Sequence, residues 1–180
     1  MEPYKRLDRK LVKKCNIFEL YEDTMEFPNG NQAKWDFIKH KGAAAIVPIL
    51  EDGRIVMVRQ YREAIDAFTL EIPAGGIDFN ETMKQCAMRE CEEETGYKPL
   101  DAVHLLDFHA TVAYCNEKIE IYFSKHLVPS KQHLYENEYV NIELYTLDEL
   151  VHMIYNGEIT DGKTIAALTT FKIKLLEGLI

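Results

Sequence analysis

Residues 75–97 read GGIDFNETMKQCAMRECEEETGY: a glycine pair, a polar turn, then a helical stretch closing on Glu90, Glu92, Glu93 and Glu94 just before Gly96. Asn80 is the expected N-cap and Gly96 the expected C-terminal stop. Carboxylates in the last turns stand where the helix macrodipole is negative, and Glu90 and Glu94 repel as an i,i+4 pair. Each penalty is a few tenths of a kcal/mol up to roughly 1 kcal/mol. A local rule broken several times in one place marks a candidate functional site.

Spacings of three and four residues put Glu90, Glu93 and Glu94 on one helix face, so their oxygens can be aimed at one small region. Hard oxygen donors suit Mg²⁺, with Mn²⁺ as the substitute, and no Cys/His cluster invites zinc. An isolated acidic run on a helix is more often a solvated face, so the surrounding spacing has to decide.

Gly75, Glu81, Arg89, Glu90, the apolar Cys91, Glu93, Glu94, Gly96 and the apolar Tyr97 match the Nudix box position by position, and the chain resembles the Nudix hydrolase superfamily. At an average usage of roughly 5–8% per residue type, seven fixed identities at set spacing arise by chance on the order of once per million chains of this size. The resemblance implies that Glu90 and Glu94 are the main Mg²⁺ ligands, with Glu93 in the inner or outer shell and the Ala74 carbonyl as a further ligand. It also implies that Arg89 orients a metal-binding glutamate by a bidentate bond, although a plain i,i+4 pair with Glu93 would use the same atoms. Glu81 is open between capping the helix and supporting the cluster, and Gly75 and Gly96 are read as backbone requirements.

Two stretches outside the box, Arg59-Gln60-Tyr61-Arg62 and Glu71-Ile72-Pro73-Ala74-Gly75, resemble ADP-ribose pyrophosphatases and related nucleoside diphosphate sugar hydrolases. In that subgroup the arginine stretch contacts the diphosphate and the glutamate before the proline holds substrate or solvent, which maps onto Arg59, Arg62 and Glu71. Exposed strand charges are the alternative for the arginines, whereas Glu71 in an apolar strand is less easily dismissed. Tyr135-Glu136-Asn137-Glu138 resembles the acidic loop carrying the general base, so Glu136 or Glu138 takes the proton of a metal-activated water, or else the loop is merely acidic surface. Trp35 is either core packing or the aromatic on which adenine stacks. Glu117 matches an acidic position of the subgroup, but Ala113 and Tyr114 replace the Pro-Gly pair expected before it, which predicts a loop of different shape. A homodimer is implied too, with N-terminal hairpins making contacts between subunits. The rival within the superfamily is a non-catalytic module that binds ADP-ribose or a protein. GDP-mannose or another nucleotide sugar is the alternative substrate.

The remaining sequence fits one ordinary domain with a small appendage. At 180 residues, 47% hydrophobic and 28% charged, the chain is globular in composition. A net charge of -9 argues against a nucleic-acid partner, no apolar run spans a membrane, and the charged opening MEPYKRLDRKLVKK is not a secretory signal. Cys15, Cys86, Cys91 and Cys115 form no C-x-x-C pair and are expected as free thiols, which fits the cytoplasm. Strands are expected over 16–27 and 32–40, forming a hairpin around Pro28-Asn29-Gly30-Asn31, then over 43–50, 54–61, 70–76, 100–109, 117–126 and 140–145. A capping box at Thr146 and Glu149 opens a helix to about Tyr155, and a last helix spans 161–177. The order is α/β (α+β). The resemblance sharpens it to the Nudix fold, a mixed β-sheet sandwiched between helices (42–180), preceded by a small N-terminal β-hairpin domain (1–41) expected to serve dimerisation and substrate contacts.

Overall fold

The computed structural model describes residues 3–137 and 139–180, and the chain divides into two units. The first comprises residues 1–42 and 109–118. Its three-stranded antiparallel sheet has the order β1 (Lys5–Lys14), β2 (Phe18–Glu26) and β3 (Gln32–His40). β1 adds a strand to the expected hairpin. Its residues are almost all exposed, so burial imposes no alternation on KRLDRKLVKK and the stretch carries little strand signal. Leu50 to Arg54 and Phe27 to Asn31 are closed by turn hydrogen bonds, as their Gly and Asn content demands. Segment 109–118 is tied along β3: the Ile38 amide donates to the Tyr114 carbonyl at 2.7 Å, and the His40 amide to the Asn116 side chain at 2.7 Å.

The second unit holds residues 43–108 and 119–180. One sheet has the order β7-β4-β10-β9, where β4 is Ala43–Pro48, β7 Ala74–Gly76, β9 Val103–His109 and β10 Lys118–Ser124. A second joins β12 (Val140–Tyr145), β5 (Ile55–Arg62) and β6 (Ala67–Glu71), and β8 (Tyr97–Pro99) pairs with β11 (Leu127–Pro129). β4 and β10 run parallel, whereas β4–β7, β5–β6, β5–β12 and β8–β11 pair antiparallel, so the sheets are mixed as expected. The helices are α1 (Met83–Thr95), α2 (Leu147–Tyr155) and α3 (Gly162–Leu176).

β4 explains its own unbroken apolar run. Ala44 and Ile46 face a cluster with Cys86, Ala87 and Cys91 of α1, whereas Ala43, Ala45 and Val47 face Leu150 of α2 and Ala167, Leu168 and Phe171 of α3. A strand covered on both faces has no polar positions to spare. The sheet is thus sandwiched between helices. Cys86 and Cys91 are buried in one of these cores, and all four cysteines are free thiols.

Both capping boxes follow their chemistry. Thr146 and Glu149 open α2, as expected, and Asp161 caps the start of α3. α1 starts on Thr82 rather than Asn80, because Gln85 returns a bond to Thr82 and completes a capping box, while Asn80 takes a left-handed turn conformation with φ 62°.

Candidate active site

α1 ends on Gly96 at φ 70°, whose amide donates to the Glu92 carbonyl at 2.9 Å. The free carbonyls of the last turn are then met from outside. The Ser130 amide donates to the Gly96 carbonyl at 2.7 Å, the His133 amide to the Glu93 carbonyl at 2.9 Å, and Gln132 Nε2 to the Glu94 carbonyl at 2.6 Å. Three donors placed on the negative end of the helix offset the penalty that the glutamate run incurs. The same Gln132 amide lies 3.5 Å from the Val140 carbonyl, so one side chain links the helix end to the start of β12. Between these points hangs the acidic loop, with Glu136 exposed on a turn. Glu138 lies outside the described residues.

Arg89 lies at the centre of the carboxylates. Its Nε and Nη2 form a fork on Glu81 at 2.8 and 3.0 Å, its Nη1 reaches Glu90 at 2.7 Å and Glu93 at 2.9 Å, and Nη2 also meets the Gly76 carbonyl at 3.3 Å. Lysine cannot reproduce this planar arrangement. The bidentate bond goes to Glu81, which precedes the helix and is held in turn by the Asp78 amide at 3.1 Å. Hydrogen bonding from Arg89 draws the Glu81 pKa below the ordinary carboxylate value against the effect of burial. Glu94 is buried and accepts from the Ala74 amide at 3.0 Å, which ties β7 to α1. Glu92 points elsewhere, to Ser130 at 2.7 Å and Lys98 at 3.3 Å.

Gly75 is needed for space rather than for backbone conformation. A Cβ there would collide with the Glu90 carboxylate, and the residue is not among those with positive φ. The donor set around this point is chiefly oxygen, three carboxylates and the backbone of β7, with the Cys86 thiol donating to the Gly75 carbonyl at 3.4 Å. In kind it fits a hard divalent cation. Among the described residues no three acidic, histidine or cysteine side chains already form a ready metal cage, because Glu90 and Glu93 turn to Arg89 and Glu94 to the Ala74 amide.

The arginines of β5 each have a carboxylate partner. Arg59 forks onto Glu143 of β12, with Nη2 at 3.0 Å, and this hydrogen bonding lowers the Glu143 pKa. Arg62 forks onto Glu71 of β6 at 2.7 and 2.6 Å. The β5–β6 register puts Gln60 opposite Thr69 and Val58 opposite Glu71, so Arg62, Thr69 and Glu71 share a face. Glu71 is 3% exposed and also accepts from the Thr69 hydroxyl at 2.5 Å and from Lys163 at the start of α3. Burial alone would raise its pKa, but Arg62, Lys163 and Thr69 together bring it down to about 2. Neither Lys163 nor Glu143 was visible as a site residue in the sequence, since their partners lie 92 and 84 residues away.

Three predicted site residues have their surroundings in the first unit or on the loop. Trp35 is 42% exposed and packs edge-on against Tyr4 and Phe27, each at 5.6 Å. It lines a cavity of about 450 Å³ with Arg9, Asp23, Phe37 and Tyr114. Glu117 lies 3.3 Å from His40 Nδ1. Glu136 is not joined to the α1 carboxylates by any bond among the described residues.

Residues 39–168 match the NUDIX domain family, and the chain belongs to it: it is a Nudix hydrolase. Over 177 residues it is 31% identical to the ADP-ribose pyrophosphatase of Bacillus subtilis (strain 168), covering 94% of this chain and 96% of that protein. With the same coverage it is 34% identical to the methanol dehydrogenase activator of Bacillus methanolicus. The crystal structure of an ADP compounds hydrolase superposes with a TM-score of 0.87 over 99% of this chain and 97% of the other, at 22% identity, which establishes the fold. Enzymes of this family generally act with a divalent cation.

Proposed function

We propose that this chain hydrolyses the diphosphate of ADP-ribose, or of a related nucleoside diphosphate sugar, to a nucleoside monophosphate and a sugar phosphate. The observation that carries the reading is the grouping of Glu81, Glu90 and Glu93 on Arg89 beside the Gly75–Gly76 backbone, with Glu94 on the Ala74 amide. The full-length similarity to an ADP-ribose pyrophosphatase supports the substrate class.

Glu90 and Glu94, with Glu93 and the Ala74 carbonyl, would hold Mg²⁺ or Mn²⁺. Such an ion neutralises diphosphate charge and makes water a better nucleophile. Arg89 orients Glu90 and Glu93, while Glu81 fixes Arg89. Arg59 and Arg62 bind the diphosphate, and Glu71 contributes through the guanidinium that it holds. Glu136 or Glu138 removes the proton as water adds to phosphorus and the bridging oxygen leaves. Trp35 stacks on adenine, and Glu117 contacts substrate from its own unit. The protein acts in the cytoplasm as a homodimer through its first unit.

Purified protein with Mg²⁺ is assayed against ADP-ribose, other ADP-sugars and GDP-mannose, with phosphate products resolved by chromatography. Turnover of at least one, fastest for ADP-ribose, is expected. A folded protein that turns over none of them overturns the proposal. The similarity to a methanol dehydrogenase activator favours a second reading, in which the chain activates a methanol dehydrogenase. Adding it to a methanol dehydrogenase and finding no change in rate removes that reading.

A further inference from the structure

The ionic group behind Arg62 contains one member with no part in the reading above. Lys163 is only 9% exposed, yet it carries a charge at the N-terminal end of α3. Its Nζ donates to Glu71 and, at 2.9 Å, to Asp161. Asp161 is already engaged as the cap of α3, accepting from the Thr164 amide at 3.0 Å and the Thr164 hydroxyl at 2.6 Å, so the positive end of the helix offsets part of its charge. That leaves Lys163 as the internal counter-ion of Glu71. Arg62, by contrast, is 41% exposed at its side chain, and its bonds to Glu71 use Nε and Nη2 but not Nη1. A cavity of about 320 Å³ opens beside the group, lined by Arg62, Thr69, Glu71, Thr160, Asp161 and Lys163.

We propose that Lys163 is a positioning residue for diphosphate binding: it balances the buried Glu71 carboxylate from behind, so that the Arg62 fork stays fixed while its charge remains available to the substrate. The inference rests on the assignment of Arg62 to the diphosphate. Without Lys163, Glu71 would cancel Arg62 and the cavity would present little field to an anion. Lys163 also faces Asp161, but the N-terminal end of α3 offsets part of that carboxylate's charge, so the four groups together keep a partial positive surplus on the solvent-facing Arg62. The neighbouring Thr164 adds geometric control, because the Ile72 amide donates to its hydroxyl at 3.0 Å and so docks the segment between Glu71 and Ala74 on α3.

The test compares wild type, Lys163→Met, Lys163→Gln and the double variant Glu71→Gln/Lys163→Met, with folding followed by thermal melts. Affinities for ADP-ribose and for inorganic diphosphate are measured by calorimetry in EDTA, and KM and kcat for ADP-ribose with Mg²⁺. Lys163→Met is expected to weaken both affinities and raise KM by about tenfold, with kcat within about threefold. Removing the Glu71 charge as well should regain about threefold of the lost affinity, short of wild type because Arg62 then lacks the carboxylate that fixes it, a partial rescue that loss of packing alone does not give. Lys163→Gln keeps a hydrogen-bond donor and loses only the charge, so it carries the same expectation if the methionine variant does not fold. Unchanged affinity in both single variants, or a double variant that binds more weakly than the single, overturns the proposal. A wild type that binds ADP-ribose without hydrolysing it defeats the enzymatic reading instead, and the affinity ratios still decide the role of Lys163. A wild type that binds neither probe overturns the inference.

Discussion

At the scale of single residues, Gly75 and Glu71 show how little room the site leaves. A methyl group at position 75 would occupy the space of the Glu90 carboxylate, so Gly75→Ala must displace Glu90 from Arg89. Displacements of about 1 Å in such sites cost roughly 100-fold in rate. The variant is expected to lose at least that much kcat while melting within a few degrees of wild type, which steady-state assay and calorimetry check together. Glu71 has a signature in pH. Its pKa falls from 4.5 to about 2 on folding, so it stabilises the native state above pH 4.5 and loses that contribution as the pH drops towards 2. The contribution is about 3 kcal/mol, at 1.36 kcal/mol per unit. Urea titrations at pH 5 and pH 2.5 should therefore converge less for wild type than for Glu71→Gln, whose stability changes less across that interval.

At the scale of elements, what matters is which signals are local. α2 with its Thr146–Glu149 box, the last helix and the strands at 32–40 and 140–145 are legible because capping and alternation are written within a few residues. β1 is not, since an exposed strand is under no burial constraint. The N-cap of α1 shifts to Thr82 because the box with Gln85 competes better than a lone Asn80. The carboxylate cluster is visible through spacing on one helix, whereas Glu143 and Lys163 are joined to their arginine and glutamate only by the fold. Two predictions belong here. Thr82→Ala should cost about 1 kcal/mol and lower the melting temperature by roughly 2–4 °C. Gln132→Ala removes donors from the Glu94 and Val140 carbonyls. It should cost about 1 kcal/mol, accelerate amide exchange at His133, and lower kcat several-fold without changing KM, because the acidic loop loses its anchor to α1.

For the whole molecule, the net charge of -9 opposes an anionic substrate at long range, so binding depends on locally concentrated cations. Chelation by EDTA is expected to abolish turnover and Mg²⁺ to restore it, with a rise in melting temperature that grows with ion concentration as mass action requires. Light scattering supplies the corresponding test of assembly: twice the chain mass supports the homodimer, and a single mass removes it. No described helix is long and apolar enough to cross a membrane.

The doubly covered strand at 43–48 makes the two cores of the second unit share one wall. Loosening the wall from either side lets water reach both, so the helix bearing the glutamates and the pair packed opposite it must come apart together. Ile46→Ala, on one side, and Val47→Ala, on the other, should then shift the same single melting transition by comparable amounts, roughly 2–4 °C per kcal/mol lost. An enzyme wired this way cannot relax its glutamate-bearing helix as a separate piece: softness there lowers the stability of the entire unit.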